Sequence, residues 1–215
     1  STTLRDPALP AAFDGFSTLD LGGSATVLTG PNPGGLLGQI WVATDPTRPS
    51  NVYVLASLDP PGPDPLDVFF ARSEDGGLTW SAPVRVVSDS ASAWQWFGTL
   101  SVAPNGRLDA VWNDTRDDPG GFDSKLFYAS SEDAGATWSA AEELTPAFDP
   151  LLGFPVQNKI GDYYDMVSEN ERVHVAYSAT FNGEQDVYYL EIPIDSILFA
   201  DGFENGLSAW SSSQP

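Results

Sequence analysis

The sequence predicts an all-β protein built from repeated four-strand units, and three observations carry that prediction. The first is an eight-residue pattern that occurs twice, as Ser73-Glu74-Asp75-Gly76-Gly77-Leu78-Thr79-Trp80 and as Ser131-Glu132-Asp133-Ala134-Gly135-Ala136-Thr137-Trp138. The second is its setting: each copy follows an apolar run, Val68-Phe69-Phe70-Ala71 or Leu126-Phe127-Tyr128-Ala129, and leads into another short run, so each reads as strand, turn, strand. The third is punctuation. With 20 Gly and 18 Pro between short apolar runs, no stretch sustains a 3.6-residue period, which excludes long helices. The turn chemistry fits a hairpin corner: Ser and Asp side chains bond the turn's own amides, Gly77 and Gly135 take positive φ, and Trp80 and Trp138 re-enter an apolar layer.

The elements follow in order. Residues 1–38 hold Pro7, Pro10, Pro31 and Pro33 and read as a leading segment with strands at 16–21 and 25–29, either completing a neighbouring blade or linking to another domain. The first unit, 39–90, lays out strands at 40–44, 52–58, 67–73 and 78–87. The second, 91–150, has strands at 99–103, 108–113, 125–130 and 137–144, with Pro104-Asn105-Gly106 as a hairpin turn. The third, 151–195, has strands at 163–168, 173–179 and 186–192 and no copy of the pattern. Leu55, Trp112 and Tyr177 fall at matching points of the second strands, and Phe69, Phe127 and Tyr188 at matching points of the third. Residues 196–215 form a C-terminal tail. Four short strands per repeat mark propeller blades, and about three are visible, part of a six- or seven-bladed ring. Three blades leave two apolar end faces uncovered, so a second copy or further blades of the same protein should cover them. The chain opens at Ser1 without a methionine or a signal peptide, which predicts a processed, trimmed or recombinant piece of a longer product.

Composition narrows the function classes. A chain of 215 residues with 41% hydrophobic and 12% aromatic residues can bury a sizeable core. A formal charge of −21, from 9 basic and 30 acidic residues, opposes nucleic acid and anionic lipid and suits solubility in an extracellular or salty medium. Zero cysteines excludes disulfides, zinc thiolates and a cysteine nucleophile, and no apolar run is long enough for a membrane-spanning helix.

The repeated pattern, S-x-D-x-G-x-T-W, resembles the Asp-box of the BNR-repeat β-propellers, the superfamily of sialidases and sialidase-like bacterial proteins. The resemblance implies that Ser73, Asp75, Gly77, Thr79 and Trp80, with Ser131, Asp133, Gly135, Thr137 and Trp138, are structural residues on blade rims between third and fourth strands. It extends to Trp96-Phe97-Gly98, to Asn105-Gly106-Arg107-Leu108-Asp109, to the Trp112–Arg116 run and to Gly161-Asp162-Tyr163-Tyr164, covering roughly 39–192. The tail from Leu198 to Trp210 resembles a C-terminal segment of exported gammaproteobacterial proteins, which implies an extracellular or periplasmic location. Sialidases clamp a carboxylate with arginines and use a Tyr nucleophile paired with Glu. This chain departs from that set: the Arg-Ile-Pro motif is absent and only seven arginines occur.

Chemistry has few candidate seats. Arg116 breaks the repeat, its counterparts being Asp59 and Phe181, and its donor fork suits a carboxylate or sugar hydroxyls, with Asp114 beside it as a further ligand contact; the alternative is a structural ion pair with Asp114, Asp117 or Asp118. Tyr163 and Tyr164, between Asp162 and Asp165, offer phenols at the start of an inner strand. Trp94 and Trp96, two apart, would share one strand face as a stacking platform for a sugar. Asp117, Asp118 and Asp123, near Asn113, supply hard oxygens suited to calcium on a Gly-Gly loop without EF-hand spacing. His174 is the only histidine, which excludes a His-based metal site and a Ser-His triad. The reading is an exported sialidase-like propeller module that binds glycan or is non-catalytic. Its rivals are part of an exo-sialidase-type glycoside hydrolase with catalytic groups in other blades, and a structural, self-assembling propeller.

Overall fold

Among the described residues the chain forms eleven strands and no helix, the longer strands being rich in β-branched and aromatic residues. The computed structural model describes residues 15–194, apart from Thr26, Leu28, 88–91, 155–157 and Tyr163. The expected strand at 25–29 lies partly, and the C-terminal tail wholly, outside the described residues.

The first sheet is antiparallel, in the order β1 (Ile40–Thr44), β2 (Val52–Leu58), β3 (Asp67–Ser73), β4 (Val84–Arg85). The second repeats it with β5 (Gln95–Val102), β6 (Leu108–Asp114), β7 (Lys125–Ser131) and β8 (Glu142–Glu143). The third has β9 (Asp165–Ser168), β10 (Arg172–Ala179) and β11 (Asp186–Pro193), in the order β11-β10-β9. These are blades of a partial β-propeller. The second sheet lies between the other two, because β5 touches β1 and β2 on one side and β9 on the other. One apolar layer, with Leu55, Phe70, Leu108 and Trp112, fills the space between the first and second sheets. Another, with Val111, Tyr128, Val175 and Tyr177, fills the space between the second and third.

The fourth strands are shorter than expected. Instead of 78–87 and 137–144, only two residues on each side enter the ladder, because the preceding turn is bonded to its own side chains. The Ser73 hydroxyl accepts from Gly77 N at 2.8 Å, Asp75 Oδ1 accepts from Thr79 N at 2.9 Å, and the Thr79 hydroxyl donates to Asp75 Oδ2 at 2.6 Å. Ser131, Asp133, Gly135 and Thr137 make the same bonds at 2.9, 2.8 and 2.6 Å. The chain therefore rejoins the sheet only after the tryptophan, through Ser81 N to Arg72 O and Ser139 N to Ser130 O, both 2.8 Å.

Strand β5 begins earlier than the expected 99, and its register shifts between Trp96 and Thr99, where Phe97 takes φ 58°. The matching of second strands also shifts by one residue. Ser73 pairs with Val52 and Ser131 with Leu108, so the counterpart of Trp112 is Ala56 rather than Leu55, and that of Arg116 is Pro60 rather than Asp59. The leading segment forms no strand at 16–21. Its Leu19 and Leu21 instead lie on the outer face of the first sheet, against Val54, Ala56 and Phe69, and Ser24 bridges to Asp59.

A buried ion pair ties the second sheet to the third. Arg107 Nε donates to Asp109 Oδ1 at 2.8 Å, and its terminal nitrogens donate to the carbonyls of Asn170 and Glu169, both at 2.8 Å. Tyr128 adds a 2.7 Å bond to the same carboxylate.

Candidate functional site

One end of the second sheet opens into a cleft of about 540 Å³ between the approach to β5 and the β6–β7 loop, lined among others by Trp94, Thr115, Arg116, Asp118, Pro119 and Phe122. Its frame is built locally. Thr115 receives the Trp94 amide on its hydroxyl at 2.9 Å and returns its own amide to the Trp94 carbonyl at 3.2 Å, which pins the two walls together. The Phe122 ring meets the Trp94 indole edge to face at 6.2 Å. Gly30, at φ +110°, also lies against the indole, where a Cβ would collide with the ring, so only glycine lets the leading segment pass there. At Gly121 a Cβ would run into the Asp118 carboxylate, which takes the Asp123 amide at 3.0 Å and folds the loop back.

Arg116 lines this cleft with its guanidinium held. Asp114, whose carboxylate is fully buried, pairs with it, takes its amide at 2.8 Å and also takes the Trp112 indole N–H at 3.0 Å. The guanidinium carbon stands 4.3 Å over the Phe127 ring centroid. The expected pairing of Arg116 with Asp114 is thus present, and it orients the arginine as a fixed wall.

Of the other candidates, Trp94 and Asp118 line this cleft and Trp96 and Tyr164 do not. Trp96 is fully buried, packs on Phe97 with ring centroids 4.5 Å apart and donates to Ser124, so it presents no face to solvent and no platform with Trp94. The reason is position: β5 is covered on both faces, so both of its side-chain rows are core. Tyr164 is core as well. Its phenol receives Asn113 Nδ2 at 2.9 Å and donates to the Ser178 carbonyl at 2.8 Å, and burial pushes its pKa up, which keeps it neutral. Tyr163 lies outside the described residues.

The three loop carboxylates face different partners. Asp117 pairs with Lys125 at 2.8 Å, Asp118 caps the Asp123 amide, and the Asp123 carboxyl is pushed up by burial and by the charges of Asp118 and Asp149. Among the described residues no group of three or more carboxylates and histidines is arranged to hold a metal ion. His174 lies on the far face of the third sheet, 2.6 Å from the Tyr189 hydroxyl. Phe122, missed in the sequence, carried a signal there: an aromatic residue inside an acidic, glycine-rich loop.

The sequence matches no family model and no curated protein. Among solved structures it is similar to the Hadza microbial sialidase Hz136, with 13% identity and a TM-score of 0.52 over 76% of this chain and 37% of that one. It is also similar to the α-L-arabinanase of Penicillium chrysogenum complexed with arabinobiose, at 15% identity and TM-score 0.47, covering 76% of this chain and 47% of that one. The endo-arabinase from Bacteroides thetaiotaomicron follows at 14% and 0.44, covering 75% and 57%. The chain thus spans less than two thirds of the length of each of these proteins. The similarity to the sialidase shows the fold, that of the sialidase-like propellers. No described helix is long and apolar enough to cross a membrane.

Proposed function

We propose that this chain is a carbohydrate-binding, non-catalytic module of an exported bacterial protein, with its two S-x-D-x-G-x-T-W hairpins serving as structural Asp-boxes. The observation that carries this reading is the cleft lined by Trp94 and Phe122. Their edge-to-face pair gives the cleft an apolar aromatic wall on which a sugar can pack, and Thr115, Asp118 and Arg116 offer polar groups for its hydroxyls. Its charge favours a neutral sugar: Asp118 adds a negative charge, and the Arg116 charge is met by Asp114.

The same arrangement speaks against cleavage of an anionic glycan. Among the described residues Arg48, Arg72, Arg85, Arg107, Arg116 and Arg172 each pair with a carboxylate, at Asp45, Glu74, Asp64, Asp109, Asp114 and Glu191, and Arg116 is the arginine that lines the cleft. The hydrolase alternative rests on the likeness to a sialidase and places the missing groups in other blades. The location outside the cytoplasm rests on the likeness of the tail and on the acidic composition.

Titration of neutral and sialylated oligosaccharides, followed by tryptophan fluorescence in the wild type and in Trp94→Phe, tests the reading. Neutral glycans should bind, Phe122→Ala should weaken binding at least tenfold with the melting temperature kept, and a fluorogenic sialoside should stay intact. Binding indifferent to Phe122→Ala, or turnover of the sialoside, would overturn it.

A further inference from the structure

The strand registers give each sheet the same outward-facing positions on its third strand. Phe70 pairs with Leu55, Tyr128 with Val111, and Tyr189 with Ala176, each aromatic preceded two residues earlier by Val68, Leu126 or Val187. In the first two sheets this row is covered by the next sheet: Val68 and Phe70 are each 1% exposed, Leu126 0% and Tyr128 4%. In the third sheet the same row is bare, with Val187 78% and Tyr189 66% exposed.

The receiving surface is also repeated. Phe70 sits in a notch of the second hairpin, where a Cβ on Gly135 would overlap its ring, and it meets the Trp138 indole edge-on at 5.3 Å. The first hairpin has the same notch without an aromatic in it. A Cβ at Gly77 would touch only Trp80, at 3.8 Å. Leu78 is 75% exposed, and a cleft of about 560 Å³ lies between this hairpin and residues 16–22. On the same face, Val42 is 63% exposed, whereas its counterpart in the second sheet, Leu100, is 3% exposed beneath the first sheet. The leading segment covers the middle of this face, Val54 and Phe69, and touches the hairpin through Ser17, whose hydroxyl donates to the Gly77 carbonyl and accepts from the Trp80 indole N–H; Leu78 and Val42 are left exposed beside it.

We propose that the outer face of the third sheet docks, head to tail, on the first-hairpin face of a second copy of this chain, Tyr189 entering the notch beside Gly77 and Trp80. The occupant is specified by the chain's own joint between its first and second sheets, of which this contact is a continuation. Because knob and notch lie at opposite ends of the stack, two copies satisfy both and close a ring of six sheets, twice three, within the roughly four to eight blades at which propellers close. The charge of −21 on each copy opposes the contact, so added salt should strengthen it.

Sedimentation equilibrium of the 215-residue chain in high salt tests this. The wild type should sediment at twice 23.0 kDa. Tyr189→Asp and Leu78→Asp should each give a monomer that still melts cooperatively. Mixed in equal amounts they should dimerise again, because one supplies an intact notch and the other an intact Tyr189. A monomeric wild type, a dimer that survives both substitutions, or a mixture that stays monomeric would each overturn the proposal.

Discussion

The Phe70 ring of the first sheet meets the Trp138 indole of the second hairpin edge to face, with centroids 5.3 Å apart and planes at 75°. A side chain of one blade is therefore the floor on which the turn of the next blade rests. Local turn chemistry and the packing between blades are joined at this contact.

Gly135 and Gly77 occupy equivalent turn positions, at φ +80° and +88°, and differ in what surrounds them. Alanine at either position should cost about 1 kcal/mol for the left-handed backbone. At Gly135 the added methyl also overlaps Phe70, for a further cost of about 1–3 kcal/mol. Urea denaturation of Gly135→Ala and Gly77→Ala should show the first clearly less stable; equal losses would remove Phe70 from the notch.

Arg107 and Asp109 are both buried, and of the two it is the arginine that reaches the third sheet. Arg107→Met leaves a buried carboxylate short of its counter-charge and should cost about 3–5 kcal/mol. Arg107→Met with Asp109→Asn should recover part of that loss. If chemical denaturation shows the single variant as stable as the wild type, the joint does not depend on this pair.

The hairpin carboxylates set an acid limit on stability. Bonds from the Thr79 hydroxyl and amide hold the Asp75 pKa down to about 2, and those from Thr137 hold Asp133 at about 2. An unfolded aspartate titrates near about 3.9. A depressed folded pKa contributes stability that is complete above about 4 and is lost as the pH falls towards about 2. Melting temperatures should drop across that window, and the double variant Asp75→Asn, Asp133→Asn should show a shallower drop. An unchanged slope in the double variant would show that other carboxylates set the limit.

Sequence carried the hairpins because every bond that defines them runs within seven residues, from Ser73 to Thr79 or from Ser131 to Thr137. The strands at Val52–Leu58 and Lys125–Ser131 were legible as short apolar runs for the same local reason. The short fourth strands were not, since the turn's hold on Thr79 and Thr137 decides how much chain is left to pair. The cleft was half legible. Trp94 and Arg116 stood out, but the burial of Trp96 depends on sheets that cover β5 from both sides, and Gly30 reaches Trp94 from far along the chain. Nothing local to Leu19 or Leu21 says that they cover the first sheet.

Trp138 and Trp80 are both half-buried, so truncation to alanine should cost less than a full core loss, about 2–3 kcal/mol for Trp138 and less for Trp80, whose indole N–H is held by Ser17 at 2.9 Å. Calorimetric melts should rank the two in that order, and the reverse order would mean that the Ser17 contact outweighs the Phe70 contact.

The account holds that blade is joined to blade through an aromatic of the third strand set into the next hairpin, and a double-mutant cycle on Phe70→Ala and Trp138→Ala measures that joint directly. An edge-to-face pair should give a coupling of about 0.5–1.5 kcal/mol in urea unfolding. Losses that add within about 0.3 kcal/mol would show two rings that do not meet, and would contradict it.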